Sequence, residues 1–426
     1  MTVALFVLFA LFLILGVPIA FSLGLSSLGA LLIGDGSLAV VASRLYSAAD
    51  SFSLMAIPFF VLAGCIMEKG KLSRRLIDFA MELVGPLKGG LGYVTVVTSM
   101  FFSAISGSGP ATTAAIGSIT IPAMEENGYD KKFATALQAT SGAMGPIIPP
   151  SIVFIQYGVA TGTSIGALFI AGIVPGLLIG AALIIMNGII SHKKGYGGSN
   201  KKYSVIRIWK SFKNAALVIL MPVIILGGIY GAIFTPTEAA IVACVYGLIL
   251  ACVIYRELSL KDIKDVFVSS CKTTSMIMLV ITCASLFGWI LSSERIPERI
   301  AASVLAVTSD KFTLLIAINI LLLIVGCLLD QGSATIILAP ILTPIAVAVG
   351  VDPIHFGALM VTNLCLGLVT PPVGVNLYVA CGIAKLKIED IVKPVLLLLG
   401  ACLVMQMIIT FVPDLIMFLP RLLKTS

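Results

Sequence analysis

Two short stretches of this sequence combine glycines with oxygen-bearing side chains inside apolar surroundings. The first is residues 103–113 (SAISGSGPATT) and the second is residues 330–335 (DQGSAT). Glycine permits sharp turns, and hydroxyl, carbonyl and carboxylate oxygens bind hard cations. The free N–H groups at the start of a helix attract anionic groups. The residue types therefore predict that these stretches bind a cation and an anionic substrate.

Asp330 is the one acidic residue that lies well inside the apolar sequence around these stretches. Acidic residues within membrane-spanning sequence usually serve function, so we predict that Asp330 is a ligand or takes part in coupling. Two alternatives remain: Asp330 caps a helix that begins near Ser333, or its carboxylate reaches the outer surface. Each Ser or Thr of the set, taken alone, also has the alternative of bonding only to a helix carbonyl.

Both stretches belong to a sequence that nearly repeats itself 222 residues apart. Residues 136–150 (ALQATSGAMGPIIPP) align with residues 358–372 (ALMVTNLCLGLVTPP). Upstream of them, at nearly the same offset, GPATT at 109–113 aligns with GSATI at 332–336. Paired segments interrupted by Gly and Pro, one in each half of an apolar chain, indicate a transporter.

The composition predicts a membrane protein. Of 426 residues, 59% are hydrophobic and 11% are charged, whereas soluble proteins have about 25% charged residues. The apolar runs have the length of spanning helices, so the predicted class is an all-α polytopic membrane protein in a lipid bilayer. The net charge of +7 comes from basic residues in short loops, which topology explains without a nucleic-acid partner.

The predicted orientation rests on the loop 191–213, which holds seven lysines and arginines and no acid. The positive-inside rule places this loop in the cytoplasm. The remaining loops agree only if the stretches 95–125 and 312–350 enter and leave the membrane on one side, the first from the cytoplasm and the second from outside. They are then two re-entrant helical hairpins of an inverted repeat. The alternative, two ordinary hairpins that cross fully, would upset the charge balance of several loops.

The predicted organisation has five parts. They are residues 1–52 with one or two N-terminal scaffold helices; 53–160, the first inverted repeat with an arm helix, the hairpin 95–125 and a broken helix 134–160; 161–273 with scaffold helices and the cytoplasmic loop 191–213; 274–383, the second inverted repeat with an arm helix, the hairpin 312–350 and a broken helix 355–383; and 384–426 with a C-terminal helix. The arms are amphipathic segments that join the hairpins to a fixed scaffold.

The motifs resemble those of the large membrane subunit of TRAP (tripartite ATP-independent periplasmic) transporters of the DctM/SiaM type. The resemblance is carried by SGSGPATTAA at 106–115, GPIIPPS at 145–151, TPPVG at 370–374, IPFF at 57–60 and GGLG at 89–92, and it covers almost the whole chain. It implies an inner-membrane, Na⁺-driven bacterial importer of carboxylates, such as sialic acid or four-carbon dicarboxylates, that works as an elevator. It also implies two partners, a small four-helix membrane subunit and a periplasmic substrate-binding protein.

The candidate site residues follow from these motifs and from the polar stretches. The Na⁺ candidates are Ser106, Ser108, Ser141, Gly142, Asp330, Gly332, Thr335, Thr370 and Pro371, and we expect two or more Na⁺ ions and no organic cofactor. The substrate candidates are Ser103, Gly109, Pro110, Thr112, Thr113, Thr140, Gly145, Ser333, Thr362 and Asn363. Arg295 is a candidate for docking a partner.

Three other functions are alternatives to this one. A stand-alone elevator-type carrier of carboxylates or ions would share the hairpins but work without a binding protein. A membrane-embedded enzyme would need several His, Asp, Glu or Cys side chains at one depth, and the sequence offers little beyond Asp330. A channel would conduct without Na⁺ coupling.

Overall fold

The computed structural model describes residues 1–34, 36–198, 203–307 and 310–423, which are mostly helical. In chain order the helices are α1 Thr2–Ile14, α2 Ile19–Ile33, α3 Ala39–Ala49, α4 Ala56–Lys69, α5 Leu72–Val84, α6 Gly90–Ser106, α7 Gly109–Glu126, α8 Lys131–Gly142, α9 Ile152–Thr161, α10 Ile165–Lys194, α11 Val205–Tyr230, α12 Pro236–Leu248, α13 Leu260–Ser293, α14 Ile296–Val307, α15 Lys311–Leu328, α16 Gln331–Ala348, α17 Pro353–Gly367, α18 Val375–Ala384, α19 Ile388–Phe411 and α20 Pro413–Leu422.

Within these residues, eight helical segments are long and apolar enough to cross a membrane. The longest is α13, whose 34 residues extend over about 51 Å at 1.5 Å per residue. The predicted class, an all-α polytopic membrane protein, is confirmed. Two basic residues of the predicted cytoplasmic loop, Lys201 and Lys202, lie outside the described residues.

Two helical hairpins lie at equivalent places in the two halves of the chain. Helices α6 and α7 meet at a turn in which Gly107 has a φ of +59°, a backbone angle that glycine adopts without strain. Helices α15 and α16 meet at Leu329 and Asp330. We refer to these turns as tip one (residues 106–109) and tip two (residues 329–332).

A broken helix follows each hairpin. Helices α8 and α9 are separated by residues 143–151, and α17 and α18 by residues 368–374, which we call break one and break two. Each break contains a Pro-Pro pair, and proline removes a backbone donor and clashes with the preceding helical turn. Both pairs, Pro149–Pro150 and Pro371–Pro372, are joined by cis peptide bonds. The repeat seen in the sequence is therefore present in the backbone.

The two repeats pack on each other through the second half of each broken helix. Helix α9 packs on α16 of the second hairpin, and α18 packs on α7 and α8 of the first repeat. In the first contact the Tyr157 hydroxyl lies 3.1 Å from the Thr343 hydroxyl. In the second, Asn376 Nδ2 donates to the Ala139 carbonyl at 3.2 Å. These contacts join both hairpins and both broken helices into one body.

Helix α10 belongs to this body, although it was predicted within a scaffold segment, 161–273. Its glycines Gly172, Gly176 and Gly180 face the hairpin body so closely that an added Cβ would come within 2.5 Å or less of a neighbouring side chain. Helices α11 and α12 pack instead on α5 and α4. We call α6–α10 with α15–α20 the hairpin body and α1–α4 with α11–α13 the scaffold.

Other predicted boundaries differ in detail. The segment 3–34, open between one helix and two, forms two antiparallel helices, with Met1 packed against Gly34. Helix α13 continues through the predicted boundary at 273 because a Ser259/Asp262 capping box starts the helix far upstream. The C-terminal segment holds two helices, since Pro413 ends α19 and starts α20.

A close approach of two backbones sets the position of tip two relative to break two. A Cβ placed on Gly326 of α15 would lie 3.0 Å from the Leu364 carbonyl oxygen of α17, and one placed on Gly367 would overlap the Gly326 backbone. Four residues after Gly326 comes Asp330, and three residues after Gly367 comes Thr370. This glycine contact therefore brings the second hairpin's turn close to the end of α17.

We expect Gly367→Ala to destabilise the protein by about 1–3 kcal/mol, because the added methyl group overpacks this contact. The matched control is Gly400→Ala in α19, where an added Cβ meets nothing within 4 Å, and its thermal midpoint should stay unchanged or rise slightly. Thermal unfolding of the purified variants in detergent measures both. Equal midpoints for the two variants would show that the α15–α17 approach does not constrain the fold.

Candidate functional site

A cavity of about 260 Å³ lies between the hairpin body and the scaffold. Both tips and α9 form one side of it, and α4 and α13 form the other. Its lining residues are Val61, Gly64, Cys65, Glu68, Ser106, Gly107, Ser108, Ala111, Ile152, Val153, Gln156, Ser269, Thr273, Ile277, Asp330, Gln331 and Gly332. We call it the central cavity.

Hydrogen bonds between tip one and the first turn of α7 stabilise the conformation of tip one. The Ser106 and Thr112 hydroxyls lie 2.8 Å apart, and Thr112 Oγ1 donates to the Ser108 carbonyl at 2.8 Å. The Ser108 hydroxyl caps α7 by accepting from the Ala111 N–H at 3.5 Å. Several oxygens are thus collected within one turn, beside the N-terminus of a helix.

Break one and the end of α8 pack directly on tip one and the start of α7, and only glycines fit at these contacts. An added Cβ on Gly145 would overlap the Ser108 carbonyl, and one on Gly142 would overlap the Thr113 hydroxyl. Beside Gly142, the Ser141 hydroxyl is buried and has no hydrogen-bond partner among the described residues. A buried hydroxyl without a partner costs about 1–3 kcal/mol, so Ser141 is suited to a ligand that supplies the missing contact.

Tip two presents its carboxylate to the central cavity and caps a helix with it at the same time. Asp330 Oδ1 accepts from the Gly332 N–H at 2.9 Å and from the Ser333 N–H at 3.1 Å. The capping alternative raised by the sequence is therefore present. It uses one carboxylate oxygen, and in the described part of the chain no hydrogen bond is formed by the other.

Gln156 is a cavity residue that the sequence reasoning missed. It lies on α9, is 4% exposed, and approaches tip two so closely that a Cβ on Gly332 would be 2.8 Å from its Oε1 atom. That oxygen has no hydrogen-bond partner among the described residues. The sequence feature that could have identified Gln156 is that it is a single amide side chain within the apolar run 152–160.

Seven predicted hydroxyls donate to the carbonyl four residues earlier in the chain. These bonds are 2.6–2.9 Å long and are formed by Ser103, Thr112, Thr113, Thr140, Thr335, Thr362 and Thr370. None of the seven lines the central cavity. The helix-carbonyl alternative is therefore present for these side chains.

Asn363 lies in a buried amide network away from the central cavity. Its Nδ2 atom donates to Asn319 Oδ1 at 2.7 Å, and Gln406 Nε2 donates to the same oxygen at 2.9 Å. The network joins α15, α17 and α19. The Nδ2 atom of Asn363 thus ties helices of the hairpin body together, while its Oδ1 atom has no hydrogen-bond partner among the described residues. Substrate binding by Asn363 stays a prediction.

Other predicted residues do not line the central cavity. Gly109 is the last residue of tip one, Pro110 and Thr113 follow it in the first turns of α7, and Ser333 is buried beside tip two. Pro371 lies in break two and does not line the central cavity. Arg295 is exposed at the junction of α13 and α14, with a φ of +52°.

Two further cavities adjoin the central cavity, one at each end. Toward the predicted cytoplasmic side, Glu68 also lines a cavity of about 410 Å³ that contains Lys71 and Arg74. Toward the predicted outer side, Gln156 also lines a cavity of about 320 Å³ that contains Arg44. The three cavities lie in sequence along the boundary between hairpin body and scaffold.

The oxygen groups at the tips fit Na⁺ better than a transition metal. Within the described residues there is no cluster of three or more His, Cys, Asp or Glu side chains, the ligands that transition metals prefer. Hard cations bind to hydroxyl, backbone carbonyl and carboxylate oxygens. The central cavity holds all three kinds.

Comparison with known proteins identifies the family. Residues 6–415 match the family model described as "Tripartite ATP-independent periplasmic transporter, DctM component". The chain is 50% identical to the isethionate TRAP transporter permease protein DctMQ of Oleidesulfovibrio alaskensis over 96% of its own length, and it spans 65% of that longer relative. It is 43% identical to the C4-dicarboxylate TRAP transporter large permease protein DctM of Vibrio cholerae, over 98% of this chain and 97% of the relative.

Another relative and one solved structure extend the comparison. The sialic acid TRAP transporter large permease protein SiaM of Vibrio cholerae is 38% identical over 96% of this chain and 95% of its own length. The crystal structure of the Alcanivorax borkumensis YdaH transporter, described as having an unusual topology, covers 88% of both chains with a TM-score of 0.63. At 15% identity this likeness is one of fold alone.

The family match over residues 6–415 and the identities of 38–50% along nearly the whole chain agree with the hairpins and broken helices described above. This chain therefore belongs to the DctM family, the large membrane component of tripartite ATP-independent periplasmic transporters, and it is a transporter permease rather than an enzyme.

Proposed function

We propose that this protein imports a small organic acid across the bacterial inner membrane, driven by Na⁺ and supplied by a periplasmic binding protein. The observation that carries the proposal is the central cavity, where tip one, tip two and the scaffold meet. The cavity combines the Asp330 carboxylate with the hydroxyls of Ser106 and Ser108. This combination suits a cation and an acidic substrate bound side by side.

A coupling ion would supply positive charge, which none of the described side chains lining the central cavity provides. The titratable side chains that line the central cavity are Cys65, Glu68 and Asp330, two of them carboxylates. An organic anion would be repelled there unless cations bound first, since like charges at close range disfavour each other strongly in a low-dielectric site. Na⁺ binding at the tips therefore has to precede or accompany the substrate, and the membrane potential adds about 2.3 kcal/mol per charge per 100 mV.

The boundary between the two bodies supports an elevator movement. One side of the central cavity belongs to the hairpin body and the other to α4 and α13 of the scaffold. Helix α9 of the first repeat packs on α16 of the second, and α18 of the second repeat packs on α7 of the first. Both tips would therefore move together. A shift of the hairpin body along the scaffold would then open the cavity to one side of the membrane and close it to the other.

The relatives support the substrate class and the partners. Their names give isethionate, C4-dicarboxylate, sialic acid and 2,3-diketo-L-gulonate as transported substrates. All four of these substrates are organic acids or their anions. The DctMQ relative is longer than this chain, which spans 65% of it, as a fusion with a small membrane subunit would be. We propose a small subunit and a periplasmic binding protein as partners of this chain, with Arg295 a candidate contact on the outer side.

The stand-alone carrier remains the second candidate function. It would use the same hairpins, broken helices and central cavity, and it differs from the first function in needing no binding protein.

Uptake into proteoliposomes separates the two functions. Vesicles containing this chain and its small subunit receive radiolabelled isethionate, succinate or sialic acid, with or without an inward Na⁺ gradient and the binding protein. We expect uptake only when both Na⁺ and the binding protein are present. Na⁺-driven uptake that ignores the binding protein would instead favour the stand-alone carrier.

We expect Asp330→Asn to lower uptake at least tenfold and to raise the Na⁺ concentration for half-maximal uptake, because the amide lacks the charge that attracts Na⁺. The control is Asp352→Asn at the N-cap of α17. The Asp352 Oδ1 atom likewise accepts from two N–H groups, at 2.7 and 3.3 Å, but Asp352 does not line the central cavity. Rates at varied Na⁺ measure the effect. The same Na⁺ dependence in both variants would limit Asp330 to capping.

We expect Ser141→Ala to weaken the stabilisation of the protein by Na⁺. Removing a buried hydroxyl without a partner should leave the thermal midpoint in Na⁺-free buffer unchanged or higher, while a lost ligand reduces the rise in midpoint on adding Na⁺. The control is Thr140→Val, since the Thr140 hydroxyl bonds to the Ala136 carbonyl. A full Na⁺-induced rise in the Ser141→Ala variant would exclude that hydroxyl from the ion site.

A further inference from the structure

The cavity on the predicted outer side is stacked on the central cavity along α13. The central cavity touches Ser269 and Thr273, whereas the outer cavity touches Ser285, Trp289 and Ser292. Since α13 runs from the predicted cytoplasmic side outward, the order of these residues places the second cavity nearer the outside. A substrate arriving from outside would meet this cavity before it reached the tips.

Gln156 lies at the junction of the two cavities and lines both. It is 4% exposed, and its Oε1 atom has no hydrogen-bond partner in the described ranges. Leaving a buried amide oxygen without a donor is costly. A ligand that occupies either cavity and carries a hydroxyl or a bound cation would supply that contact.

Arg44 is the titratable residue that lines the outer cavity within the described parts of the chain. The carbon of its guanidinium group lies 5.3 Å from the centroid of the Trp289 ring, which is a cation–π distance. The ion pairs found among the described residues involve other side chains. Arg44 is exposed, and its guanidinium group lies against an aromatic ring without an ion pair among the described residues.

We propose that Arg44, supported by Trp289 and followed by Gln156, forms an outer binding site for the acid group of the substrate. The chemistry that fits is a small organic carboxylate or sulfonate, because a guanidinium group binds two oxygens of such an anion through a pair of parallel hydrogen bonds. Among the described residues, none that lines this site is a carboxylate, whereas the central cavity has Glu68 and Asp330. The anion therefore binds here without Na⁺ and passes Gln156 to reach the tips once Na⁺ is bound there. This inference rests on the proposed function for the direction of movement.

The tryptophan content allows a binding test that does not depend on transport. The chain has two tryptophans, so Trp209→Phe leaves Trp289 as the only one. The emission of that variant in nanodiscs is titrated with isethionate and with succinate, in the absence of Na⁺. We expect a saturable change that Arg44→Gln abolishes and that Arg44→Lys reduces.

A second measurement follows uptake in proteoliposomes with the partner subunit and binding protein. We expect Arg44→Gln to raise KM about tenfold or more, as for loss of a charge-assisted hydrogen bond, with the Na⁺ concentration for half-maximal uptake unchanged. The control is Arg299→Gln, which removes an exposed charge from α14 outside the three cavities and should leave KM unchanged. If Arg44→Gln acted only by impairing folding, it would lower the amount of active protein and leave KM unchanged.

The outcomes separate this inference from the proposed function. Na⁺-driven uptake with an unchanged KM in the Arg44→Gln variant, together with no response of Trp289 to either anion, would overturn the outer site and leave the transport function standing. A saturable Trp289 response that requires Arg44, in a protein without Na⁺-driven uptake, would support the outer site and reject the proposed function.

Discussion

Unwound backbone at the depth of the membrane has to be enclosed by protein, and the rest of this structure depends on that constraint. Lipid offers no hydrogen bonds, so turns and breaks survive only against other protein or a wet cavity. Tip one is covered by break one, where the Pro150 carbonyl lies 3.0 Å from a Cβ placed on Gly107. The glycines at 107, 142 and 145 let these two irregular segments approach. What remains uncovered faces the central cavity.

The same constraint accounts for the exchange of helices between the repeats. A short half-helix such as α9 or α18 has ten residues and is too short to cross a membrane alone. Each is stabilised by packing on the other repeat, where Tyr157 of α9 contacts the hairpin helix α16 and Asn376 of α18 donates to α8. The exchange makes the hairpin body a unit and confines the cavities to its boundary with the scaffold, where a relative movement has the greatest effect.

Much of the fold was predictable because glycine and proline interrupt helices for local reasons. Both hairpin turns and both breaks lie where the sequence places Gly-Ser and Pro-Pro. The side-chain roles were less predictable. Asn363 stands at a position equivalent to Ser141, yet its amide joins a network with Asn319 and Gln406 that the sequence does not reveal. Helix α10 was assigned to the scaffold because apolar periodicity does not say which neighbour a glycine face contacts.

Three properties can be read from the sequence alone: the protein is a polytopic membrane protein, two interrupted segments recur in its halves, and Asp330 is an unusual acid within apolar surroundings. These properties follow from composition and local backbone preferences. Which polar groups face a common space depends on the packing of remote helices. Gln156 and Arg44 are distant in sequence from tip two, and they reach the cavities because α9 packs on α16 and α3 packs on α13. Such contacts depend on side-chain packing between remote segments, which no local pattern encodes.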